Sequence, residues 1–494
     1  MQIRSYALAA VLAALLLACG GSEKLTQSEW ERYQEIRGET QTLLNDLHQA
    51  TINAASKGEA VNRYSVLEAH QELLAPDNIE FLKRVEVELE DSVAAARVVR
   101  LGLYLTDCAL ESLRLRYLIR TPLLTDAREL PAGKRWRGGL PTPLLLESDR
   151  EQRDLQYSRW LSLLYENLDL ADAWWKERDS LLQSYGYDSW KSYLTQRLGF
   201  DSEELLNCTR AFVAATDGLY GELLGALEQS GRFDWVGKPS KLDLVRFMQG
   251  KGSLKPPMVY PARVVIDGLR GSCAAAEDLV ERVTFKAGPS SSMPVAVPIA
   301  APAEVALVLP PVGDQRQMAR AVVAYGEALT YASSESRDFV DLYLERDLDR
   351  ALAGEYLAAL YVIGDCEMSQ FTLSFPAEFL FRRLFELRFL CADLQLALTW
   401  SPGAISSSDT LLALHSRALG TDVAMAELAP RLFQTDFYTA AANFQGLLTA
   451  YELLPDRYSL NELLSLLKEE PLRFDLKQCR VDSFLRACAR LLRE

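Results

Sequence analysis

The chain has 494 residues, of which 49% are hydrophobic and 24% are charged, and its formal net charge is −15. These values are ordinary for a soluble globular protein, and the length is sufficient for one large core or for two lobes. The acidic balance disfavours nucleic acid and anionic membrane surfaces as partners, because both repel a negatively charged surface. We therefore expect no nucleic-acid binding.

The N-terminal segment has the pattern of an export signal. Arg4 precedes an apolar run over residues 7–18, which is too short to span a bilayer. The run ends in Leu16-Leu17-Ala18-Cys19, which resembles a bacterial lipobox. The resemblance implies a lipoprotein signal peptide over residues 1–18, acylation of Cys19 and a tether over residues 19–25, with the lipid bilayer as partner. An ordinary secretory signal whose cysteine is coincidental is the alternative.

The residues around this cysteine also bear on location. Gly20 rather than Asp follows it, which by resemblance to lipoprotein sorting favours the outer membrane of the bacterial cell envelope, facing the periplasm. The other seven cysteines are scattered and form no C-x-x-C pair. An oxidising compartment would permit disulfides among them, but the sequence does not give their pairing.

Apolar residues recur at helical spacing through most of the chain. A polar, Pro-rich segment over residues 121–147 separates the early helices from the later ones. Asp201 or Ser202 is the predicted N-cap of one long helix. Helices are predicted over residues 26–56, 78–119 with a break near Ser92, 150–168, 171–185, from 201 or 202 onward, 375–400, 437–453, 460–468 and 482–493.

A short β region is predicted between residues 281 and 309. Its apolar stretches are rich in Val and Pro, and Pro298 and Pro302 argue against central strands. We expect a small antiparallel sheet in which residues 305–309 form an edge strand, ended by Pro310 and Pro311. The fold class predicted from these patterns is mainly α with one small sheet.

A helix is predicted directly after this strand. Asp314 lies where an N-cap belongs and Gln317 follows it by three residues, as in a capping box. One apolar face then recurs through the helix at Met318, Val322, Tyr325 and Leu329.

The strand, turn and helix, with Val323-Ala324-Tyr325-Gly326-Glu327-Ala328-Leu329, resemble the core of the thimet oligopeptidase and oligoendopeptidase F family of zinc peptidases (gluzincins). There the helix reads H-E-x-G-H-A-L. Two His at this spacing share a helix face and hold one Zn²⁺, and the Glu between them activates the metal-bound water. On this register Val323 replaces the first His, Ala324 the general base and Glu327 the second His.

The resemblance implies a large two-lobed, α-helical, zincin-like fold with the small sheet beside this former active-site helix. Residues 26–494 would form one peptidase-like domain with lobes over approximately 26–235 and 236–494. Glu355 lies 28 residues after Glu327 and matches the position of the family's third zinc ligand. A Glu with no special role, paired or exposed, is the alternative there.

Three further residues are candidates for the cleft of such a fold. Tyr325 lies within the motif, and Tyr438 fits the family's Phe-Tyr pair at the start of a late helix. Phe444 stands near where another Tyr is common, and a Phe cannot donate a hydrogen bond to an oxyanion. The chain has only three His, which supports the loss of a His-based zinc site, and we expect no cofactor.

The sequence thus predicts a membrane-anchored lipoprotein with an inactive metallopeptidase-like domain. Its residual cleft would bind a peptide or a partner protein. One alternative is a metallopeptidase in which Glu327 and Glu355 hold a harder cation, although two carboxylates alone form a poor cage. The other is a structural or scaffolding envelope lipoprotein.

Overall fold

The computed structural model describes most of the chain. The residues described are 25–59, 61–120, 147, 149–165, 168–199, 201–231, 235, 238–248, 259–272, 277–290, 293–313, 315–334, 338–344, 347–362, 376–400, 408–423, 428, 437–453, 459–469 and 481–491. The lipobox with Cys19, most of the tether, nearly all of the Pro-rich segment and the predicted N-cap Asp314 lie outside them.

The first half of the chain is helical. Its first helix begins at a capping box, in which the Thr26 hydroxyl accepts from the Glu29 amide and the Glu29 carboxylate accepts from the Thr26 amide. The Asp201 side chain caps the long helix that begins at Ser202 by accepting from the Glu203 amide. The helices are α1 (Gln27–Lys57), α2 (Arg63–Ala69), α3 (Pro76–Glu88), α4 (Ser92–Arg120), α5 (Arg150–Tyr165), α6 (Leu168–Ser184), α7 (Trp190–Leu198), α8 (Ser202–Gln229), α9 (Lys241–Met248), α10 (Ala262–Ser272) and α11 (Glu277–Glu281).

The sheet has three strands in the order β1-β3-β2: β1 (Val283–Ala287), β2 (Val295–Ala300) and β3 (Glu304–Leu309). It is mixed rather than antiparallel, because β1 pairs with β3 in parallel and only β2 runs antiparallel to it. The prediction of an edge strand at residues 305–309 is wrong: this run is fully buried and central, as a continuous apolar strand can be. Pro298 lies in the edge strand β2, where a missing donor is tolerated.

The second half of the chain surrounds the sheet with further helices. A π-helical turn, Val340–Leu344, separates the first two of them. The helices are α12 (Gln315–Ser333), α13 (Asp347–Val362), α14 (Pro376–Thr399), α15 (Ser408–Leu419), α16 (Phe437–Leu453), α17 (Leu460–Glu469) and α18 (Val481–Leu491). The described helices and strands confirm a mainly α fold with one small sheet.

One hydrophobic cluster runs through the molecule, from Tyr33 on α1 to Cys488 on α18. A buried arginine ties three helices of this core together. The Arg388 guanidinium on α14 donates to the Val213 and Ala418 carbonyls and pairs with Asp217 at 2.7 Å. It therefore links α8, α14 and the end of α15. Within the described residues, no helix combines the length and apolar character that crossing a membrane requires.

Candidate functional site

The predicted motif lies where α12 and α13 cross, and the crossing is unusually close. A Cβ placed on Gly326 would lie 2.7 Å from the Gly354 Cα and 2.8 Å from the Ala353 carbonyl oxygen. A Cβ on Gly354 would lie 2.8 Å from the Val323 carbonyl oxygen. Real Cβ atoms do not approach backbone atoms so closely, so both glycines are required by the contact. The motif's glycine thus serves helix packing.

The two positions that would carry the first zinc ligand and the base are aliphatic and part of this contact. The Val323 Cγ1 lies 2.9 Å from where a Cβ on Gly354 would stand, so the side chain covers the crossing point. Ala324 is 4% exposed and packs within the core. The neighbouring Tyr325 is fully buried, with its ring 5.8 Å from that of Phe285 on β1. Tyr325 is therefore a core residue and not part of a cleft.

Glu327 is partly buried, and its environment differs from that of Val323 and Ala324. Burial raises the pKa of its carboxyl to about 7, and the positive charge of Arg350 on α13 opposes the rise. A carboxylic acid with this pKa is partly protonated at neutral pH. No His, Cys or acid completes a ligand set with it, because no group of three such side chains within the described ranges could hold a metal.

Glu355 also lies on α13, but its carboxylate pairs with Arg383 on α14. Both side chains are largely buried, at 13% and 8% exposure. Arg383 pairs in addition with Glu386 at 2.7 Å. A buried carboxylate beside a guanidinium has its charge compensated. Glu355 is thus fixed as an ion-pair partner that joins α13 to α14.

These surroundings do not fit the zinc ion that the resemblance implies. Zn²⁺ needs three protein ligands of the imidazole, thiolate or carboxylate type in a catalytic site. Val323 has no donor atom, and Glu355 is held by Arg383. Glu327 alone is left, next to a guanidinium that would repel a cation. No chemical step through a metal follows from this arrangement.

The third helix of the region, α16, is held against α13 by another glycine. A Cβ on Gly446 would lie 2.8 Å from the Ala351 Cβ and 2.9 Å from the Leu352 amide nitrogen. Phe444 on the same helix is fully buried and packs edge-on against Phe212, with ring centroids 5.5 Å apart. It is therefore also a core residue, because α8 covers this face of α16.

Tyr438, at the start of α16, is the one predicted cleft residue that reaches an internal cavity of about 290 Å³. The Arg197 guanidinium stacks on its ring, 3.6 Å from the centroid. The cavity lies between the N-terminal helices and the α12–α13–α16 region, and we call it the inner cavity. It is lined by Leu44, Leu47, His48, Thr51, Arg63, Leu67, Tyr104, Asp107, Cys108, Glu111, Arg197, Tyr331, Tyr343, Leu344, Arg350, Tyr438 and Thr439.

A second cavity of about 920 Å³ adjoins the first and is lined by α1, by the turn between β2 and β3 and by the end of α12. Tyr343, in the π-helical turn, lines both cavities. Ile52 of α1 packs against Val297 and Ala306, so the first helix covers one face of the sheet.

Sequence reasoning missed most of the polar wall of the inner cavity. His48 and Arg63 come from the consecutive helices α1 and α2, whereas Arg350 comes from the distant α13, and no motif or spacing connects the three residues. The one available signal was the rarity of His, since His48 is one of only three.

Comparison with solved structures gives the fold. The chain superposes on PZ peptidase A, solved with an inhibitor, with a TM-score of 0.59 and 12% identity over 90% of each chain. It superposes on a Bacillus anthracis protein described as an oligoendopeptidase F with a TM-score of 0.61 and 13% identity, over 96% of this chain and 94% of that one. The fold is that of the oligopeptidase-like zincins.

A Pyrococcus furiosus carboxypeptidase is similar in the same way, with a TM-score of 0.56 and 11% identity over 96% of this chain and 99% of that one. At such identities the likeness extends to the oligopeptidase-like fold alone. The sequence matches no protein-family model and no curated protein.

Proposed function

We propose that this protein is a catalytically silent, oligopeptidase-like lipoprotein that binds a peptide or a partner protein in the cleft next to α12. The observation that carries the proposal is the crossing of α12 and α13, where Val323 covers Gly354 at the position of the first zinc ligand. A fold whose catalytic helix is sealed by aliphatic packing retains its cleft but lacks the means to activate water.

The chemistry that remains near the crossing supports this reading. Peptide hydrolysis at neutral pH needs an activated water and a group to stabilise the oxyanion. Ala324 provides no base, and Phe444 provides no hydroxyl. Glu355 could enter a metal site only by giving up its buried ion pair with Arg383, which costs the mutual compensation of the two charges.

The decisive experiment measures zinc content and peptide turnover on the purified full chain. We expect substoichiometric zinc by elemental analysis and no cleavage of quenched fluorescent peptides of mixed sequence. The positive control is a triple variant that combines Val323→His, Ala324→Glu and Glu327→His and so restores the residues of the family's motif. Zinc in the unaltered protein that a chelator removes, together with chelator-sensitive turnover, would refute the proposal.

A carboxylate metal site built on Glu327 and Glu355 is the enzymatic alternative. The two side chains face different partners, Arg350 and Arg383, which argues against a shared cation. The double substitution Glu327→Gln with Glu355→Gln separates the two readings. Any turnover found in the unaltered chain should disappear in the double variant if this site exists, and should persist if it does not.

A scaffolding role is the second candidate, and one observation favours it. Ile52 of α1 packs against Val297 of β2 and Ala306 of β3, so a helix occupies one face of this strand pair. A scaffold would need no ligand. Saturable binding of a peptide that is weakened when the inner cavity is occupied would favour the binding role. The absence of peptide binding across a peptide library would favour the scaffold.

We further propose that the chain is anchored in the bacterial envelope through acylated Cys19, on the outer membrane and facing the periplasm. Cys208 is disulfide-bonded, whereas Cys108, Cys391 and Cys488 are free and buried. A disulfide is typical of proteins that fold outside the reducing cytoplasm, which supports export. Mass spectrometry of the N-terminal peptide should reveal acylation, and Cys19→Ser should release the protein from the membrane fraction. Retention of the variant in that fraction would contradict lipid anchoring.

A further inference from the structure

The second cavity, of about 920 Å³, has a wall whose charges compensate each other. Within the described part of the chain, the charged side chains that line it are Asp278 and Arg282. They pair with each other at 3.7 Å, and the Arg282 guanidinium also donates to the Ala332 carbonyl at 2.9 Å. A charged ligand would lose its hydration here without meeting an uncompensated partner, so the wall favours an uncharged ligand.

Two carboxamide side chains of α1 line the same cavity. Gln41 and Asn45 are four residues apart and therefore lie on one face of the helix. Both are exposed, and neither side chain makes a hydrogen bond with another described residue. A carboxamide carries two donor hydrogens and an acceptor oxygen, so each can bind a group that both donates and accepts.

A buried hydroxyl lies at the end of α12, on the sheet side of this cavity. Ser334 lines the cavity, is only 2% exposed, and its Oγ has no hydrogen-bond partner. The adjacent Ser333 also lines the cavity, but its hydroxyl donates to the Thr330 carbonyl at 3.0 Å. A buried hydroxyl without a partner is costly unless a ligand or water satisfies it. Ser334 therefore marks a position where a polar group of a ligand would be bound.

The remaining wall is apolar and is shaped for a compact ligand. Leu279, Ile299 and Phe339 contribute apolar side chains to it. The sheet contributes the end of β2 and the turn that follows, so an extended peptide would find no full strand to pair with. The volume is at the upper end of ordinary ligand pockets, which favours a ligand of two rings over an ion or a single ring.

We propose that the second cavity binds a neutral disaccharide of hexopyranose units. Its hydroxyl groups would face Gln41, Asn45 and Ser334, and the C–H faces of its rings would lie against Leu279 and Ile299. Every sugar hydroxyl both donates and accepts, which matches the carboxamides and the serine hydroxyl and requires no charge from the protein. The site lies apart from the α12–α13 crossing and goes beyond the peptide-binding role proposed above.

Titration calorimetry on the purified full chain tests the ligand class. The neutral probes are maltose, cellobiose and N,N′-diacetylchitobiose, and we expect saturable one-to-one binding of at least one of them. Cellobiouronate has the same two rings as cellobiose but carries a carboxylate, and it should bind more weakly than the neutral disaccharide that binds best. Binding of none of the three neutral probes, or tighter binding of cellobiouronate than of all three, would overturn the proposal.

The variant Ser334→Ala assigns the binding to the cavity. We expect about a tenfold loss of disaccharide affinity, the value of one hydrogen bond. The Tm of the free protein should not fall, because the variant removes a hydroxyl that has no partner. Ser333→Ala is the matched control and should keep its affinity, since that hydroxyl is already engaged. Affinity that is unchanged in Ser334→Ala, or that falls equally in both variants, would refute the site, and a lower Tm in Ser334→Ala would contradict a hydroxyl reserved for a ligand.

The carboxamides of α1 are tested by a second variant, Gln41→Ala combined with Asn45→Ala. Both positions are exposed on a helix, so alanine should leave the fold intact. We expect about a tenfold loss of disaccharide affinity. Gln34→Ala is the matched control, because Gln34 is exposed on the same helix and is not among the residues that line either cavity. A double variant that binds as tightly as this control would rule out the proposed contacts.

A peptide probe separates this site from the proposed function. Acetyl-tetra-alanine amide is uncharged and offers backbone donors and acceptors, and it should not displace a bound disaccharide. If the peptide binds and its affinity falls in Ser334→Ala, while no disaccharide binds, the cavity is a peptide site and the saccharide proposal is wrong. Chelator-sensitive turnover would refute catalytic silence and would leave the disaccharide titrations unaffected.

Discussion

Helix α12 has two contrasting contact regions within three turns. Around Val323 and Gly326 it is sealed against α13, with backbone atoms too close to admit a Cβ. At Tyr331 the same helix borders a cavity of about 290 Å³ whose wall is rich in polar groups. The first region is where the family's motif would place metal chemistry, and it is closed by packing. The second lies two turns on and keeps open space.

The difference separates two properties that a fold can retain independently. Close helix packing needs small residues and shape complementarity, which Gly326, Gly354 and Gly446 provide without any donor atom. Ligand binding needs a cavity with convergent polar groups, which the inner cavity has. A metal site on α12 would need convergent polar groups at the closely packed motif itself, whereas in this chain the polar groups lie at the inner cavity.

The largest effect is expected from breaking the ion pair that holds Glu355. Arg383→Met leaves the buried Glu355 carboxylate without its cation, and we expect a loss of about 3–5 kcal/mol in the free energy of unfolding. Adding Glu355→Gln to the same chain should restore part of the loss, because the charge that needs compensation is then removed. Urea unfolding of the two single variants and the double variant measures the coupling.

Arg417→Met is the matched control for this pair. Arg417 pairs with Asp217 at 2.7 Å, but its side chain is 58% exposed, so the loss should be at most about 1 kcal/mol. If the double variant loses the sum of the free energies of unfolding that Arg383→Met and Glu355→Gln lose separately, the two residues act independently. In that case Glu355 would be available for another role, including that of a ligand.

The next effect concerns the sealed crossing itself. Gly326→Ala sets a Cβ against the Gly354 Cα and the Ala353 carbonyl, neither of which can move without shifting α13. We expect a destabilisation of about 3 kcal/mol, at the upper end of overpacking costs. Thermal and urea unfolding measure it.

Gly218→Ala on α8 is the control, since a Cβ there meets nothing within 4 Å and the position is an exposed helix interior. It should be neutral or should stabilise by about 0.5–1 kcal/mol, because alanine favours the helix. If both alanine variants stabilise the chain, α12 and α13 are farther apart in solution than they are in the structure.

The outline of the fold was predictable because it depends on local patterns. The first helix was predicted over residues 26–56 and spans Gln27–Lys57, because the Thr26 capping box fixes its start and its apolar stripe is regular. The predicted break near Ser92 coincides with the start of α4. Pro298 lies in an edge strand, as a residue without an amide donor should.

The errors have an equally local cause. A fully apolar run such as residues 305–309 has no alternation, so its neighbours on either side cannot be inferred from it, and it proved central. Tyr325 and Phe444 were predicted to line a cleft from their motif positions, but a motif does not state which face of a helix another helix covers. Both faces are covered, by β1 and by α8 respectively.

The candidate site was predictable only where a motif marked it. Val323, Glu327 and Glu355 were identified through the resemblance to the family's motif. The partner of Glu355 was not, because Arg383 lies on another helix and no periodicity links the two. The inner cavity could not be predicted from the sequence for the same reason, because His48, Arg63 and Arg350 are brought together only by the packing of α13 against α1 and α2.

The last expected effect is a pH dependence of stability that arises from Glu327, between the two regions of α12. Burial raises the pKa of Glu327 from 4.5 to about 7 in the folded chain. The folded state therefore holds this proton more tightly than the unfolded state does. Relative to low pH, where both states are protonated, this group lowers the free energy of unfolding as pH rises from 4.5 to 7, and above that range the loss is about 3 kcal/mol.

Glu327→Gln should remove this dependence, because a neutral amide occupies the same space without a proton to lose. At about pH 4 the variant and the unaltered chain should be equally stable, and at about pH 8 the variant should be more stable by about 3 kcal/mol. The low pKa of His48 makes stability fall in the opposite direction, as pH drops from 6.5 towards 4, but it acts on both chains and cancels in the difference. Glu222→Gln, on the exposed face of α8, should give a pH-independent difference. If Glu327→Gln also gives a pH-independent difference, the Glu327 carboxyl is ionised and solvated at neutral pH, and burial does not raise its pKa.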